Sequence, residues 1–467
     1  MIKQIKTIIF APKVLAIFIC IVFSVFGIAI NLNRFWQYES GYYDFGLFDR
    51  ALWNVAHFKP PITDHFVFSG KIIFADHFNP SIFLLTPIYW ITAKSEALFI
   101  IQDIFVGISG YVLYIIGEKV LKNKMLSLAV LITYFLFVGL QNAIFSDFHE
   151  LTVGTLFIML TYWAIITGNK KLFFLFFIIT LGFKESLFLF GIGISFFIFF
   201  WKKEWKKIAI ATFFISLAWG FLAIKVIIPY FSNGLYNSTP LLTGGLVGIF
   251  TRLFTPFVKI KTVFLTFFSF LFLPLLMPSI WPIILLNFIH RFLLEGSTRW
   301  DLGLHYNAEL APTLAVSTVL AVSTLQKKVS KKVVFITAIL LVSTSLVLYR
   351  FILHGPYGLA YNPVFYNHTK DFVYLDKIIA RIPQNSSVIA QNNIASRFLH
   401  NKDVWILREN YSQFKADYIM FDLRPGQNPT NFLGAKDIQK VFNTVTQDNQ
   451  YHLIYHTGDQ YIFKRRV

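Results

Sequence analysis

The chain has 467 residues, of which 56% are hydrophobic and only 14% are charged, and its mean hydropathy is +0.59. A soluble protein of this length would form two or three globular domains. Apolar runs of about 20 residues recur instead, the length that crosses a hydrocarbon core of about 30 Å as a helix. The composition therefore predicts a polytopic α-helical membrane protein. It disfavours a transmembrane β-barrel, whose segments are shorter and alternate in polarity.

The net charge of +18 does not indicate nucleic-acid binding, because the basic residues are dispersed in short clusters between apolar runs. Short basic loops mark the cytoplasmic side of a membrane protein and contact anionic lipid head groups. The single cysteine, Cys20, excludes an intrachain disulfide and a CxxC metal site. The clusters are Lys3, Lys6 and Lys13; Lys119, Lys122 and Lys124; Lys170 and Lys171; Lys202, Lys203, Lys206 and Lys207; and Lys327, Lys328, Lys331 and Lys332.

The first predicted span covers residues 11–31, with the N-terminus in the cytoplasm. It has no small-residue cleavage motif, so we interpret it as a retained helix and not as a signal peptide. Residues 32–80 then form an extracytoplasmic loop that is rich in aromatic residues, Asp and His. Residues 81–93 are apolar but short, which is typical of a re-entrant or interfacial helix.

The later apolar segments and the basic clusters together predict about eleven spans with the C-terminus outside. Residues 172–200 are best divided into two short helices broken near Lys184-Glu185, because this division keeps the Lys202–Lys207 cluster inside. Broken helices are tolerated where they line a cavity, although a Lys–Glu pair that neutralises itself is an equal alternative. The other predicted spans are about 96–117, 125–142, 151–167, 208–230, 262–277, 279–294, 306–325 and 333–351.

A polar C-terminal domain follows the membrane domain, which we assign to residues 1–354. Residues 355–467 are predicted to form a small extracytoplasmic α/β domain with a gating or structural role. Gly458-Asp459 is a typical hairpin turn, and residues 370–382 and 434–447 are helical in pattern. The predicted strands are Ser387–Ala390, Val404–Leu407, Tyr418–Phe421, His452–His456 and Tyr461–Lys464.

This topology brings polar residues from separate loops to the extracytoplasmic side, which predicts a functional site there. Asp–His pairs suit a divalent metal, but neighbouring side chains rarely bind one ion, so a metal cofactor stays open. Arg291 and Arg299 suit either a phosphate or lipid head groups. Asp44 either caps a helix that starts at Phe45 or acts in catalysis. The candidates are Asp44, Asp49, Asp76, His77, Asp147, His149, Lys184, Glu185, Arg291, Arg299 and His305.

Five ordered motifs in this chain resemble a family of predicted membrane proteins called domain of unknown function 2079. That family is similar to the GT-C glycosyltransferases, multi-span enzymes that use polyprenyl-phosphate sugar donors. The chain departs from the pattern at Arg50, where the family tends to have Gln. The motifs are Tyr43 to Trp53 (YDFGLFDRALW), Asp76-His77-Phe78-x-Pro80, Asp147-Phe148-His149, Lys184-Glu185, and His305-Tyr306-x-Ala308-x-x-x-Pro312.

The resemblance implies a GT-C-like fold and a plasma-membrane glycosyltransferase that moves a sugar to an extracytoplasmic glycan, lipid or protein acceptor. Asp44 matches the position of the catalytic acidic residue after the first span and would act as general base, supported by Asp49. Arg291 or Arg299, with Lys184, would hold the donor phosphate. Alternatives are a transporter or lipid-carrier flippase without transferase activity, suggested by the broken helices, and an envelope scaffold.

Overall fold

The computed structural model of the protein describes residues 11–65, 71–234, 236, 240–425 and 432–466, so Lys3 and Lys6 and the predicted position of the N-terminus lie outside it. The helices before the C-terminal region are α1 (Pro12–Trp36), α2 (Leu47–Ala56), α3 (Ile88–Ile91), α4 (Glu96–Leu121), α5 (Lys124–Leu136), α6 (Val138–Phe145), α7 (Glu150–Thr167), α8 (Lys170–Leu181), α9 (Leu187–Trp201), α10 (Lys206–Phe221), α11 (Ile228–Phe231), α12 (Gly245–Phe254), α13 (Val258–Phe268), α14 (Trp281–Leu293), α15 (Leu310–Leu325) and α16 (Lys331–Val347). The C-terminal elements are α17 (Pro363–Thr369), α18 (Val373–Ile379), β1 (Ser387–Ala390), α19 (Asn392–Ala395), β2 (Asp403–Ile406), β3 (Tyr418–Asp422), α20 (Ala435–Gln447), β4 (Tyr451–Thr457) and β5 (Gln460–Arg465).

Six helical segments in the described part of the chain are long and apolar enough to cross a membrane. The bent pair α5 and α6, which changes direction by 49°, makes a seventh if it counts as one span. The prediction of a multi-pass helical protein is therefore confirmed. The six segments are Pro12–Trp36, Glu96–Leu121, Glu150–Thr167, Lys203–Phe231, His305–Leu325 and Lys331–Ile352.

The prediction of eleven spans is not confirmed, because four of the predicted spans form short helices. Helices α8, α9, α13 and α14 have 12, 15, 11 and 13 residues. Each is shorter than the roughly 20 residues that a perpendicular crossing requires. The break near Lys184-Glu185 is observed, since α8 ends at Leu181 and α9 begins at Leu187.

By its internal contacts the chain divides into two compact units. The described residues of the first unit lie within 11–30, 76–82 and 100–361, and those of the second lie within 31–75, 83–99 and 362–466. The second unit thus combines the first loop after α1 with the C-terminal domain.

In the first unit, α9 packs closely on both α10 and α14 because glycines line its surface. A Cβ atom at Gly191 would lie 2.3 Å from the Ser216 hydroxyl of α10. A Cβ atom at Gly193 would lie 2.7 Å from the backbone of Ile283 in α14. Small residues of this kind let apolar helices approach at backbone distance. The short α9 is therefore held by its neighbours on two sides.

In the second unit, the C-terminal domain carries a five-stranded sheet with the order β2-β1-β3-β5-β4. Strands β1, β2 and β3 are parallel, whereas β5 is antiparallel to both β3 and β4. The five predicted strands are confirmed to within one residue at each end, and β4 and β5 join at the predicted Gly458-Asp459 turn. Helix α20 covers this sheet through an apolar cluster that includes Ile389, Ile419 and Val441.

Candidate functional site

Asp44 lies in an irregular turn between α1 and α2. Residues Tyr42–Gly46 form this turn, and Asp44 has φ 76° and ψ −93°. This conformation is close to the classic γ-turn, which is rare and strained for a residue with a side chain. Strain of about 1–3 kcal/mol persists only where the surrounding structure fixes it, and it concentrates at functional sites. Asp44 is exposed, although every residue from Phe45 to Arg50 is buried.

The turn excludes the capping interpretation of Asp44. Helix α2 begins at Leu47 with Gly46 at its N-cap position, and no side chain caps it. The expected start at Phe45 was wrong because the positive φ of Asp44 interrupts the chain before the helix. Asp44 therefore lies in a turn before the helix and is not its N-cap residue.

Asp49, the second predicted catalytic carboxylate, is completely buried within the second unit. It accepts a hydrogen bond from the Tyr89 hydroxyl at 2.5 Å and lies 2.7 Å from His400 Nε2. The His400 ring in turn stacks on Trp53 with 3.8 Å between ring centroids. These contacts make Asp49 an anchor of α2, and its two oxygens are already engaged.

Arg50 and Asp64 fasten the first loop to the C-terminal domain. The Arg50 guanidinium donates hydrogen bonds to the backbone carbonyls of Leu399 at 2.7 Å and Lys402 at 2.6 Å, and also to that of Asn401. Asp64 forms an ion pair with Arg408 and accepts a hydrogen bond from the Ile406 amide at 2.9 Å. The loop and the domain are thus a single folded unit, linked by buried polar contacts.

In the first unit, the break between α8 and α9 carries a buried polar network. Glu185 Oε1 lies 2.9 Å from His77 Nδ1, and Oε2 accepts the Phe78 amide hydrogen at 3.2 Å. The Tyr236 hydroxyl donates to Glu185 at 3.4 Å, and Asp76 lies 3.7 Å from His77 Nε2. His77 and Glu185, which the sequence analysis gave only as separate candidates, are therefore in direct contact in the structure.

The charge on His77 follows from these neighbours. Burial lowers the pKa of His77, but the carboxylates of Asp76 and Glu185 raise it by more, and the net pKa is raised above 6.5. The two carboxylates therefore favour the protonated form of His77.

Lys184, Glu150, His149 and His305 extend the network on its other side. Lys184 Nζ lies 2.8 Å from Glu150 Oε1, and the Glu150 side chain is completely buried. The His149 and His305 rings stack with their centroids 3.6 Å apart. The side chain of Gln102 holds the segment before α7: it accepts the His149 amide hydrogen at 2.9 Å and donates to the Asp147 carbonyl at 3.2 Å. The sequence analysis did not identify Gln102.

The two predicted phosphate-binding arginines differ in what their side chains already bind. Arg291 is 3% exposed and donates three hydrogen bonds: to the Arg299 carbonyl at 2.9 Å, the Asn307 side chain at 2.9 Å and the Asp301 carbonyl at 2.8 Å. Arg299 is only partly buried, and its Nε lies 3.4 Å from the Tyr306 hydroxyl. Arg291 therefore holds the loop after α14 in place, whereas among the described residues the hydrogen bond of the Arg299 side chain is the one to Tyr306.

An apolar cavity of about 640 Å³ adjoins the network: Tyr236 lines the cavity and also donates a hydrogen bond to Glu185. Polar groups enter it from Ser186, Lys225, Tyr236 and His290. Lys225 lies within the candidate span Lys203–Phe231, where an ionisable residue is a signal of function that sequence reasoning overlooked. The apolar lining consists of Phe188, Leu189, Ile224, Pro229, Pro240, Leu242, Leu286, Ile289 and Leu293, with Gly234.

The described residues contain no group of three or more His, Cys, Asp or Glu side chains that could hold a metal ion. In one of the Asp–His pairs for which the sequence analysis left a metal open, His77 contacts Glu185. The geometry of the described site is that of a buried polar network beside an apolar cavity.

Comparison with known families agrees with this architecture. The profile of the family described as "Predicted membrane protein (DUF2079)" matches residues 34–460. The chain belongs to the DUF2079 family. No curated protein matches it significantly. The match takes in parts of both units of this DUF2079 protein, including the Asp44 turn, the network at Glu185 and strands β1 to β4 of the C-terminal sheet.

Proposed function

We propose that this DUF2079 protein is a GT-C-type integral-membrane glycosyltransferase. In this proposal it transfers a hexosyl or pentosyl group from a polyprenyl-phosphate donor to an extracytoplasmic acceptor. The observation that carries the proposal is Asp44, an exposed carboxylate held in a strained turn directly after the first span. A strained acidic residue at that place matches the general-base role expected from the resemblance to GT-C enzymes.

Asp44 would accept the proton of the acceptor hydroxyl. The acceptor oxygen forms a bond to the anomeric carbon of the sugar while the bond from that carbon to the lipid-phosphate oxygen breaks. The lipid phosphate leaves with the bonding electron pair, and the configuration at the anomeric carbon inverts. Positive groups near the departing phosphate stabilise its developing charge.

The cavity of about 640 Å³ supports a lipid-linked donor, because its wall is largely apolar and a few polar groups enter it. A prenyl segment would contact residues such as Leu286 and Ile289. The phosphate would be bound by Lys225 and His290, which line the cavity, with the partly exposed Arg299 as the arginine. This assignment prefers Arg299 over Arg291 and Lys184, whose donors already have protein acceptors.

The test is transfer by the purified full chain from a panel of labelled polyprenyl-phosphate hexoses and pentoses to extracted cell-envelope glycolipids. We expect Asp44→Asn to lower the turnover rate by about 10²–10⁴-fold, the range for a general base. Asp437→Asn, an exposed aspartate on α20, is the matched control and should retain full activity. Unchanged transfer by Asp44→Asn would overturn the role of Asp44.

A transporter or lipid-carrier flippase is the second candidate. A chain of ionisable groups runs from the partly buried Asp76 and His77 to the buried Glu185, Lys184 and Glu150, and it favours this function, since such chains occur along ion and substrate pathways in membranes. Proteoliposomes separate the two functions: movement of a polyprenyl-phosphate sugar across the bilayer without any glycosyl product would favour transport. The proposed orientation, with the C-terminal domain extracytoplasmic, is tested by protease accessibility in intact cells.

A further inference from the structure

The turn that carries Asp44 contacts the C-terminal domain, and one of these contacts is a hydrogen bond to a buried asparagine. The Tyr43 amide donates a hydrogen bond of 2.8 Å to Asn392 Oδ1, so the residue immediately before Asp44 is fixed by this side chain. Asn392 is buried, at 3% exposure. A Cβ atom at Gly41 would lie 2.5 Å from Asn392 Nδ2, which means that the carboxamide fills the space beside the turn.

Asn392 is held in place by the parallel strands of the C-terminal sheet. It follows β1, which is paired with β2 on one side and with β3 on the other, all three parallel. The preceding residue, Gln391, bridges the ends of β1 and β3: its side chain accepts the Asp422 amide hydrogen at 2.6 Å and donates to the Asp422 carbonyl at 2.9 Å. Ligand and catalytic groups of α/β sheets gather at such carboxyl ends, where neighbouring strands continue to opposite sides.

The contacts on both sides of Asp44 come from the same domain. Before it, Asn392 binds the Tyr43 amide. After it, Arg50 donates to the carbonyls of Leu399 and Lys402. A backbone strained at Asp44 requires such restraints, because a free turn would relax to a common conformation.

We propose that Asn392 is a positioning residue for Asp44. The C-terminal domain thereby contributes to the function of the site. This inference rests on the proposed role of Asp44 as general base. The Asn392 carboxamide holds the Tyr43–Asp44 peptide in its strained conformation, so the Asp44 carboxylate keeps one direction. Positioning on regular secondary structure supplies the accuracy that a general base needs.

The activity test compares Asn392→Leu with Asn392→Asp in the full chain. Leucine removes the acceptor of the Tyr43 amide hydrogen, and we expect kcat to fall by about 10²-fold with an unchanged KM for the donor, the scale of a displacement of about 1 Å. Aspartate keeps an acceptor oxygen and should restore most of the activity. Gly41→Ala disturbs the same contact and should not add to the loss in Asn392→Leu. Asn443→Leu, an exposed asparagine on α20, is the control and should be silent.

A second readout does not depend on activity. In an Asp44→Cys background the only other cysteine is Cys20, which is buried within α1, so a membrane-impermeant maleimide reports on position 44. Asn392→Leu should change the labelling rate several-fold, whereas Asn443→Leu should not. If Asn392→Leu does not purify as a monodisperse protein, Gly41→Ala provides the same comparison.

The outcomes separate this inference from the proposed function. Full activity of Asp44→Asn overturns the general-base role, and the labelling rate then still decides whether Asn392 fixes the turn. Loss of activity in Asp44→Asn, together with unchanged kcat and unchanged labelling in both Asn392→Leu and Gly41→Ala, overturns the positioning role alone.

Discussion

The ion pair between Lys184 and Glu150 gives a sharp test of how the first unit is stabilised. The two charged groups are 2.8 Å apart, Glu150 is completely buried, and the Lys184 side chain is 11% exposed. Replacing one partner leaves the other charge buried without its counter-ion. We therefore expect Lys184→Met and Glu150→Met each to destabilise the protein strongly, while the double replacement recovers most of the loss.

The distance supports a large effect for each single replacement. At 2.8 Å and an effective dielectric constant of about 20, the attraction is about 6 kcal/mol. Desolvation of both ions offsets much of it, so the intact pair contributes little net stability. Removing one partner should cost about 3–5 kcal/mol, whereas replacing both by apolar groups of similar volume is near neutral or stabilising.

Thermal unfolding of detergent-purified variants measures this order. The control is Lys440→Met, which breaks the exposed pair of Lys440 with Glu409 in the C-terminal domain and should cost about 0–1 kcal/mol. The melting temperatures should rank the wild type, Lys440→Met and the double variant together, well above both single variants. A double variant whose melting temperature is as low as that of the less stable single variant would contradict this expectation. So would a Lys184→Met variant with the same melting temperature as Lys440→Met.

Three further predictions follow from the same contacts. Because the pKa of His77 is raised, its protonation stabilises the fold fully below about pH 6.5, and this stability is lost as the pH rises through the raised pKa. The difference in melting temperature between the wild type and His77→Gln should therefore shrink from acidic to alkaline pH. A difference that grows with pH would exclude a stabilising charge on His77. Arg50→Lys should leave backbone carbonyls of residues 399–402 without their hydrogen-bond donor, which should lower the free energy of unfolding by about 1–3 kcal/mol for each lost partner. Trypsin should then cleave the C-terminal domain faster, and an unchanged rate of proteolysis would contradict this prediction. Leu286→Trp should fill the cavity and raise the donor KM at unchanged melting temperature, whereas Leu285→Trp, which is 53% exposed, should not; equal KM values for both would argue against donor binding there.

The C-terminal fold could be predicted from sequence because its signals are local. Strands such as Ser387–Ala390 and Tyr418–Asp422 are short, largely apolar runs that local composition indicates as strands. The break at Lys184-Glu185 was also predictable, since a single helix over residues 172–200 would place the basic cluster Lys202–Lys207 on the outside. The span count was harder, because composition does not distinguish a crossing helix from a short buried one such as α13.

The site could be predicted only as a list of residues and not as a set of contacts. The partners of Asp49 are Tyr89 and His400, 40 and 351 positions away, and no local pattern connects them. The engagement of Arg291 is equally hidden, since two of its three acceptors are backbone carbonyls, which every residue possesses. Sequence can identify an ionisable residue near a membrane, but its partner depends on the tertiary fold.

Asp44 and Asp49 show how this limits the inference of function. Both are aspartates in one motif, five residues apart, and the sequence alone gives them similar claims to catalysis. The structure separates them by backbone conformation: Asp49 lies inside α2, where its side chain is enclosed by Tyr89 and His400, whereas the positive φ of Asp44 turns that residue out to solvent. The buried Asp49 carboxylate stabilises the fold, whereas Asp44 lies exposed on a strained turn. Hydrogen bonds of Asn392 and Arg50 offset the backbone strain at Asp44. These bonds join the first loop to the C-terminal domain, so the two must be considered together.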